Sequence, residues 1–323
     1  MEAGWKSYLE SKGAVIEENT VVHYGNSEQE LANAGNEDNT IISDLSFYKL
    51  IKISGSEAQS FLQSQFSNDV NQVTESQAQL NSYCSPKGRV LALFNLFKIK
   101  NDYYLQLPRI LFDSILKRLT LFKMRADVSL IDISDSLMCI GIAGKNAESI
   151  LKSKFNNIPA SNYASETQET LTVIRLTNES NTKTQTRFLL FGDSDTLENF
   201  WTNNNDKLIS VGSDCWCSLD IQAGIPAIAT ETVDTFIPQM LNLQLINAVS
   251  FKKGCYPGQE IVARTQYLGK LKKRMYLIKS EHNQILTPGT DLTTENAADD
   301  QSKGKIVNCL LSPDGGIAAL AVL

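Results

Sequence analysis

Residues 47–66 read FYKLIKISGSEAQSFLQSQF, a strand pattern that runs directly into a helix pattern. The first half alternates apolar and polar side chains, which is typical of a strand with one buried face. The second half places apolar residues at helical spacing, namely Ala58, Phe61, Leu62 and Phe66. A strand followed at once by an amphipathic helix predicts the beginning of an α+β unit.

The patterns that follow complete a first α+β unit, which we place at residues 41–136. LNSYCS, RVLALFNLFKI and YYLQLP read as antiparallel strands, separated by the turn residues of SPKGR and by a polar break at Asn101 and Asp102. ILFDSILKRLTLFKM then has helical spacing, and VSLIDIS returns to strand alternation. The predicted order is strand, helix, several strands, helix, strand.

A similar order recurs at residues 137–224, which we assign to a second α+β unit. LMCIGIAG, TLTVIRL, RFLLFG and CWCSLDIQAG read as strands, whereas NAESILKSKF and DTLENFWTNN read as helices. Two such units in tandem predict a duplicated α+β architecture of split βαβ, ferredoxin-like units.

The rest of the chain divides into three segments. Residues 1–40 are rich in Asn and Glu and leave their fold unclear. Residues 225–270 contain the most distinctive motif, and we place them as a segment that returns to the first unit. Residues 271–323 read as short strands with turn residues between them, which predicts a small β-barrel.

Composition and charge narrow the class of protein. No apolar run is long enough to cross a bilayer, and the start, MEAGWKSYLESKG, lacks the pattern of a secretory signal, so we expect a cytoplasmic protein without membrane contact. A net charge of -6 opposes stable nucleic-acid binding. The six cysteines are scattered, which favours reduced thiols, and two distant histidines without a CxxC pair predict no metal site.

The motif KKGCYPGQEIVART places Cys255 just ahead of a predicted helix. Pro257 suits the first turn of that helix, because its missing N–H would have no intrahelical partner there. Unpaired N–H groups and the helix dipole favour a thiolate, and Lys252, Lys253 or Arg264 would add to this effect if they fold nearby. The pattern predicts a reactive sulfur. The alternative is a small apolar side chain packed in a tight turn.

The same motif resembles the signature of the YgfZ family of bacterial folate-binding proteins, K-G-C-[FY]-x-G-Q-E. All its fixed positions are occupied here, by Lys253, Gly254, Cys255, Tyr256, Gly258, Gln259 and Glu260. Similarity in LIKISGSEAQSFLQSQFSNDV and YCSPKGRVLALF extends it over residues from about 41 to 323 and leaves the first 40 unmatched. The resemblance implies a three-domain ring like the related glycine cleavage aminomethyltransferase, with tetrahydrofolate or a derivative in a central channel.

Two aromatic residues are the folate-binding candidates that this resemblance implies. Tyr48 and Trp216 fall where the family carries tryptophans associated with folate binding. An aromatic face suits a pterin or benzoyl ring, because stacking adds about 0.5–1.5 kcal/mol beyond area burial. The alternative for Trp216 is core packing on a strand. Cys215 and Cys217 flank it, and strand periodicity turns them to the opposite face, so we interpret them as core residues, with a redox role as the alternative.

The resemblance also has one departure. In the aminomethyltransferase an aspartate pair follows the equivalent of the Lys-Gly-Arg sequence at 87–89, whereas this chain has Ala92 and Leu93 there. The carboxylate needed for methylene transfer is therefore missing. The basic run GKLKKR at 269–274 is either a docking patch or ordinary solvated surface.

The function that the resemblance implies is a tetrahydrofolate-binding accessory factor with Cys255 as its reactive residue, and not a free-standing catalyst. Such a factor supports the assembly or repair of iron–sulfur clusters in specific enzymes. Its partners are these client enzymes or the assembly proteins, and its effect on tRNA methylthiolation is indirect. A folate-dependent one-carbon (aminomethyl) transferase is the alternative, against which Ala92 and Leu93 stand. A third reading is a scaffold in which folate is structural and Cys255 only packs.

Overall fold

The computed structural model of this chain describes residues 1–176, 185–293 and 303–323. The helices in these ranges are α1 Ala3–Ser11, α2 Ser27–Gly35, α3 Ala58–Gln65, α4 Arg109–Lys123, α5 Ala147–Leu151, α6 Ser194–Asn203, α7 Ser213–Gln222 and α8 Gln259–Tyr267. The strands are β1 Val15–Glu17, β2 Thr20–His23, β3 Thr40–Asp44, β4 Tyr48–Ser54, β5 Gln79–Cys84, β6 Val90–Ile99, β7 Asp102–Pro108, β8 Ser129–Asp132, β9 Met138–Gly144, β10 Ser165–Gln168, β11 Leu171–Arg175, β12 Arg187–Gly192, β13 Ile209–Val211, β14 Met275–Ser280, β15 Asp291–Leu292, β16 Gly304–Leu311 and β17 Ile317–Val322.

The first unit is a five-stranded sheet with the order β5-β6-β7-β4-β8, and all its neighbouring strands are antiparallel. Helix α3 follows β4 and helix α4 follows β7, as the strand and helix patterns predict. Their apolar faces pack on the sheet, since Phe61 and Leu62 of α3 and Leu119 of α4 belong to the same buried cluster. The sheet has an additional edge strand, β5, and the ferredoxin-like description stays a prediction.

The second unit repeats this order along a six-stranded sheet, β10-β11-β12-β9-β3-β13. Strands β10, β11, β12 and β9 correspond in sequence and position to β5, β6, β7 and β4, and β13 corresponds to β8. The insertion is β3, which pairs antiparallel with β9 and parallel with β13. The first residues of the segment that the sequence assigns to the first unit thus lie in the second sheet.

Part of CWCSLDIQAG forms helix α7, and the strand predicted for this segment is wrong. The edge position of the sheet is taken by β13, which ends at Val211. Cys215, Trp216 and Leu219 are buried at the spacing of a helical face, a pattern that a reading based on alternation overlooks. Because this segment is helical, strand periodicity does not turn Cys215 and Cys217 to the face opposite Trp216.

The N-terminal residues pack on the second unit. Trp5 and Leu9 of α1 join a buried cluster with Phe200 and Trp201 of α6. The indole Nε1 of Trp5 donates to Oδ1 of Asp44 at 2.7 Å, which ties α1 to β3. Residues that the sequence left undecided thus form part of the core of this unit.

The C-terminal strands form a four-stranded antiparallel sheet with the order β14-β17-β16-β15. Helix α7 packs against β16 and β17 and joins this sheet to the rest of the molecule. Over the described strands the sheet is open at β14 and β15, so a closed barrel stays a prediction. In the parts of the chain that the structure describes, no helix combines the length and apolar character needed to cross a membrane.

Candidate functional site

Helix α8 begins at Gln259, inside the motif and four residues after Cys255, and the sequence predicts a helix at this place. Its N-cap is Gly258, whose φ of 82° lies in the left-handed region that favours glycine. Pro257 lies two residues before the first helical residue, Gln259, so it precedes the helix instead of occupying its first turn.

Lys253 joins the motif to the first unit. Its Nζ atom donates to three backbone oxygens at 2.7, 2.5 and 3.0 Å, those of Gln63, Phe66 and Asn68. Three N–H donors require an ammonium, and helix α3 ends just before Phe66, so the cation caps the end of a helix where the dipole favours positive charge. Burial lowers the pKa of Lys253 to about 8, and Asp69 opposes this shift. Lys253 is thus an anchor of the motif.

Two glycines let the motif pack directly on loop 85–89. A Cβ on Gly258 would lie 2.5 Å from the Cα of Gly88, and a Cβ on Gly88 would lie 2.8 Å from the Cβ of Ile261. The hydroxyl of Ser85 donates to Oδ1 of Asp234 at 2.6 Å and holds the loop. The loop and the motif, which both carry the sequence resemblance, form one structural unit.

The remaining motif residues support this unit or face solvent. Tyr256 is buried, and its ring centroid lies 5.3 Å from the Nζ of Lys253. Gln259 donates through Nε2 to the backbone oxygen of Lys253 at 3.3 Å. Glu260 and Arg264 are exposed on α8. These contacts fix the backbone on both sides of Cys255.

Cys255 is the one exposed thiol among the six cysteines. Burial raises the pKa of Cys84 and Cys215 to about 12, and it raises the pKa of Cys139 and Cys217 well above the usual value. Apart from its two chain neighbours, no described atom lies within 4 Å of the position that a Cβ on the adjacent Gly254 would take. Cys255 is not a packed side chain.

A cavity of about 380 Å³ lies between the first unit, helix α7 and the C-terminal sheet. Tyr48 and Pro108 line it from the first unit, Asp220 from α7, and Asn308 from β16. Burial raises the pKa of Tyr48 well above its usual value, and the nearby Asp220 carboxyl contributes to the rise. Cys255 is not among the described residues that line this cavity, so the thiol and the candidate folate residues are in different places.

Trp216 lies beside this cavity and is 1% exposed. It lines a smaller cavity of about 40 Å³ together with Tyr48, Leu93 and Asn95. Its ring packs on β9, where a Cβ on Gly141 would lie 2.5 Å from the Trp216 Cε3 atom. The structure therefore brings Tyr48 and Trp216 together, and it gives Trp216 a packing role on a helix instead of the strand that the sequence predicts.

Polar residues at these cavities were missed by the sequence analysis. Arg187 Nη1 donates to Asp220 Oδ1 at 2.6 Å, and the guanidinium lies 5.5 Å from the ring centroid of Trp216. Burial raises the pKa of Asp220, and the Arg187 guanidinium opposes this rise. The buried Oδ1 of Asn95 has no hydrogen-bond partner among the described residues. A helical reading of CWCSLD would have indicated Asp220, since it follows Trp216 by one turn.

The positions of the missing aspartate pair are apolar and buried. Ala92 is 0% and Leu93 is 6% exposed, and Leu93 lines the smaller cavity. Asp220 and Asp214 of α7 supply carboxylates to the wall of the larger cavity instead. The aspartates that line this cavity thus lie on helix α7 and not on β6, which carries Ala92 and Leu93.

The arrangement of two α+β units, a C-terminal sheet and a central cavity defines an aminomethyltransferase-like protein. The glycine cleavage system aminomethyltransferase T from Bartonella henselae has the same fold, with a TM-score of 0.81 over 100% of this chain and 90% of that one, at 14% identity. Residues 10–177 match the GCVT N-terminal domain family. This match begins within the first 40 residues, which the resemblance had left unmatched.

Sequence relatives narrow this class. The tRNA-modifying protein YgfZ of Colwellia psychrerythraea is 32% identical over 286 residues, which cover 88% of this chain and 85% of the relative. The proteins of the same description from Hamiltonella defensa and Yersinia enterocolitica are 30% and 28% identical, covering 86% and 88% of this chain and 82% and 84% of the relatives. The chain belongs to the YgfZ family of GCVT-domain proteins.

Proposed function

We propose that this protein is a cytoplasmic, tetrahydrofolate-binding accessory factor that uses Cys255 in the assembly or repair of iron–sulfur clusters in client enzymes. The observation that carries the proposal is the exposed thiol of Cys255, held in a motif that Lys253 and Gly258 fix to the first unit. A thiol that reacts with a partner has to be reachable, and a rigid backbone presents it in one position. The other five cysteines are buried or half-buried.

A folate-type ligand fits the cavity beside α7. Its wall combines aromatic and aliphatic side chains, including Tyr48, Pro108 and Ile225, with a small number of polar groups. Such cavities bind flat heteroaromatic ligands, with the apolar wall providing contact and the polar groups fixing orientation. The Oδ1 of Asn95 in the adjoining cavity, which no described residue hydrogen-bonds, is an acceptor for a donor on the ligand edge. The GCVT-domain match agrees with a folate-related role.

In this proposal, the protein affects tRNA modification through its client enzymes. The relatives are described as tRNA-modifying proteins. A net charge of -6 makes stable RNA binding by the whole surface unfavourable, so we assign the modification to an iron–sulfur enzyme that this factor supports.

The test is allele replacement at the native locus, comparing wild type, deletion and Cys255→Ala. We expect Cys255→Ala to reduce iron–sulfur enzyme activities and tRNA methylthiolation as far as the deletion does, while the purified variant keeps its melting temperature. Cys139→Ala, which removes a buried thiol that lines neither of the two cavities described above, is the control and should retain activity. Wild-type activities in the Cys255→Ala strain would refute the role of this thiol.

A further inference from the structure

Helix α8 exposes apolar side chains close to the Cys255 motif. Ile261, Tyr267 and Leu268 are 42%, 68% and 84% exposed. Ile261, Arg264 and Leu268 are three and seven positions apart, so they share one side of the helix. The buried side chain of α8 is Val262, which faces the core. Cys255 lies four residues before Gln259, the first residue of α8, and its thiol is exposed like these apolar side chains.

Positive charge surrounds these apolar residues. Residues 251–274 contain seven lysines and arginines and one acidic residue, Glu260, in a chain whose net charge is -6. Five of the cations are exposed, namely Lys252, Arg264, Lys270, Lys272 and Arg274. Considering residues 1–176, 185–293 and 303–323, none of these five forms an ion pair. Because Gly88 packs against Ile261, the exposed Lys87 adds a further cation from loop 85–89.

We infer that this region, the α8 surface (Ile261, Arg264, Tyr267, Leu268, Lys270 and Lys272), is the docking site for the protein that Cys255 serves, and that this partner presents an acidic face. The inference rests on the proposed function, in which the thiol acts on another protein. Tyr and Arg are enriched at protein interfaces, whose apolar centre is surrounded by a polar rim. A partner docked here is close to the exposed thiol, because only six positions separate Cys255 from Ile261.

Charge complementarity determines both the sign of the charge on the partner's face and the place where the partner docks. The rest of this acidic chain repels an acidic partner, whereas the α8 surface attracts it, so the electrostatic field favours one orientation of approach. These exposed cations, which form no ion pair with the described residues, gain carboxylates on docking. This gain is absent for a neutral or basic partner.

The apolar residues favour a protein over RNA as the occupant. Leu268 and Ile261 gain nothing from a phosphate backbone, whereas burying them against a protein removes apolar area from water at about 25 cal/mol per Å². An RNA site of this size is expected to place aromatic and basic residues together without exposed aliphatic side chains. Tyr267 suits both occupants, and the two aliphatic residues decide between them.

The experiment combines charge reversal with photo-crosslinking in the full-length protein at its native locus. The test variant is Lys270→Glu with Lys272→Glu, and the matched control is Lys152→Glu with Lys154→Glu, two exposed lysines at the end of α5. A photo-reactive amino acid at position 267 reports contact in both backgrounds, and the same group at position 154 serves as its control. Products are identified by mass spectrometry and nuclease digestion.

We expect the test variant to lower client iron–sulfur activity at least tenfold, whereas the control stays within twofold of wild type. Tetrahydrofolate affinity and Cys255 alkylation rates should stay within twofold in both. The crosslink from position 267 should reach an identified acidic protein and be lost on charge reversal. Wild-type activity in the test variant, a nuclease-sensitive crosslink, or a crosslink insensitive to charge reversal would overturn the inference.

Failure of the proposed function gives a different pattern. If Cys255→Ala retains client activity, the role of the thiol is refuted, yet the crosslink from position 267 and its dependence on Lys270 and Lys272 still decide whether the α8 surface is a docking site. The two conclusions therefore stand or fall on separate measurements.

Discussion

Gly258 of the cysteine motif packs against Gly88 of loop 85–89, with only 2.5 Å between the Cα of Gly88 and the place where a Cβ on Gly258 would lie. Both residues have positive φ, 82° and 68°. Two segments far apart in sequence thus meet backbone to backbone, and no side chain larger than hydrogen fits between them. This contact places the start of α8, and with it Cys255, on the first unit.

Replacing Gly258 by alanine is expected to destabilise the protein. The left-handed φ and the close backbone of Gly88 together predict a loss of about 2–4 kcal/mol in the free energy of unfolding. Gly254→Ala is the control, because open space surrounds the position of its Cβ, and it should change stability by less than about 0.5 kcal/mol. Urea denaturation measures both, and equal stability of the two variants would contradict this packing.

Lys253→Met should also destabilise the fold. The substitution removes an ammonium that donates to three backbone oxygens, one buried and two partly buried, and leaves them without this donor, at about 2–3 kcal/mol. Lys252→Met removes an exposed lysine from the adjacent position and should be nearly neutral. A thermal melt that shows the same midpoint for both variants would refute the anchoring role of Lys253.

Thiol labelling should distinguish Cys255 from the other cysteines over a wide pH range. Because burial raises the pKa of Cys84 and Cys215 to about 12, these groups stay protonated and unreactive as the pH rises from 7 to 9. Iodoacetamide should therefore modify Cys255 first at both pH values, with the buried thiols following only on unfolding. Peptide mapping after timed labelling checks this, and early labelling of Cys84 would contradict the burial described here.

Tetrahydrofolate should bind in the micromolar range, about -8 kcal/mol, at the cavity that Tyr48 lines. Tyr48→Leu removes the aromatic face and should weaken binding by about 0.5–1.5 kcal/mol. Tyr276→Leu, an exposed tyrosine on β14, is the control. To test Trp216, we choose Trp216→Phe and not Trp216→Ala, because the Trp216 ring fills buried space against Gly141. Calorimetric titration measures the affinity. A titration that shows only heats of dilution at millimolar ligand would disprove folate binding.

Aminomethyl transfer should be undetectable. Ala92 and Leu93 cannot anchor or protonate a folate nitrogen, and Leu93 faces the smaller cavity with an apolar side chain. Single-turnover assays with a methylene donor and tetrahydrofolate measure this directly. Turnover at ordinary enzyme rates, about 1 s⁻¹ or faster, would establish the transferase alternative instead.

The sequence by itself determined the elements of the first unit and the location of the motif. Strand alternation in FYKLIKIS and helical spacing in EAQSFLQSQF are local patterns, and they are confirmed as β4 and α3. The short, glycine-containing motif before α8 likewise predicts a helix start next to an exposed thiol, which the structure has. Residues close in sequence are sufficient for such predictions, because the periodicity of apolar residues and the chemistry of turns depend on only a few consecutive residues.

Only the tertiary structure decided what those elements contact. Lys253 donates to the oxygen of Gln63, 190 positions away, and no local pattern predicts a partner at that distance. The sequence pattern of α7 predicts a strand, because the spacing of its buried residues depends on which sheets enclose the helix. Asp220 and Arg187 meet across 33 positions through the same packing. The cavity beside Tyr48 exists only where three packed units leave space, so its polar residues could not be found before the packing was known.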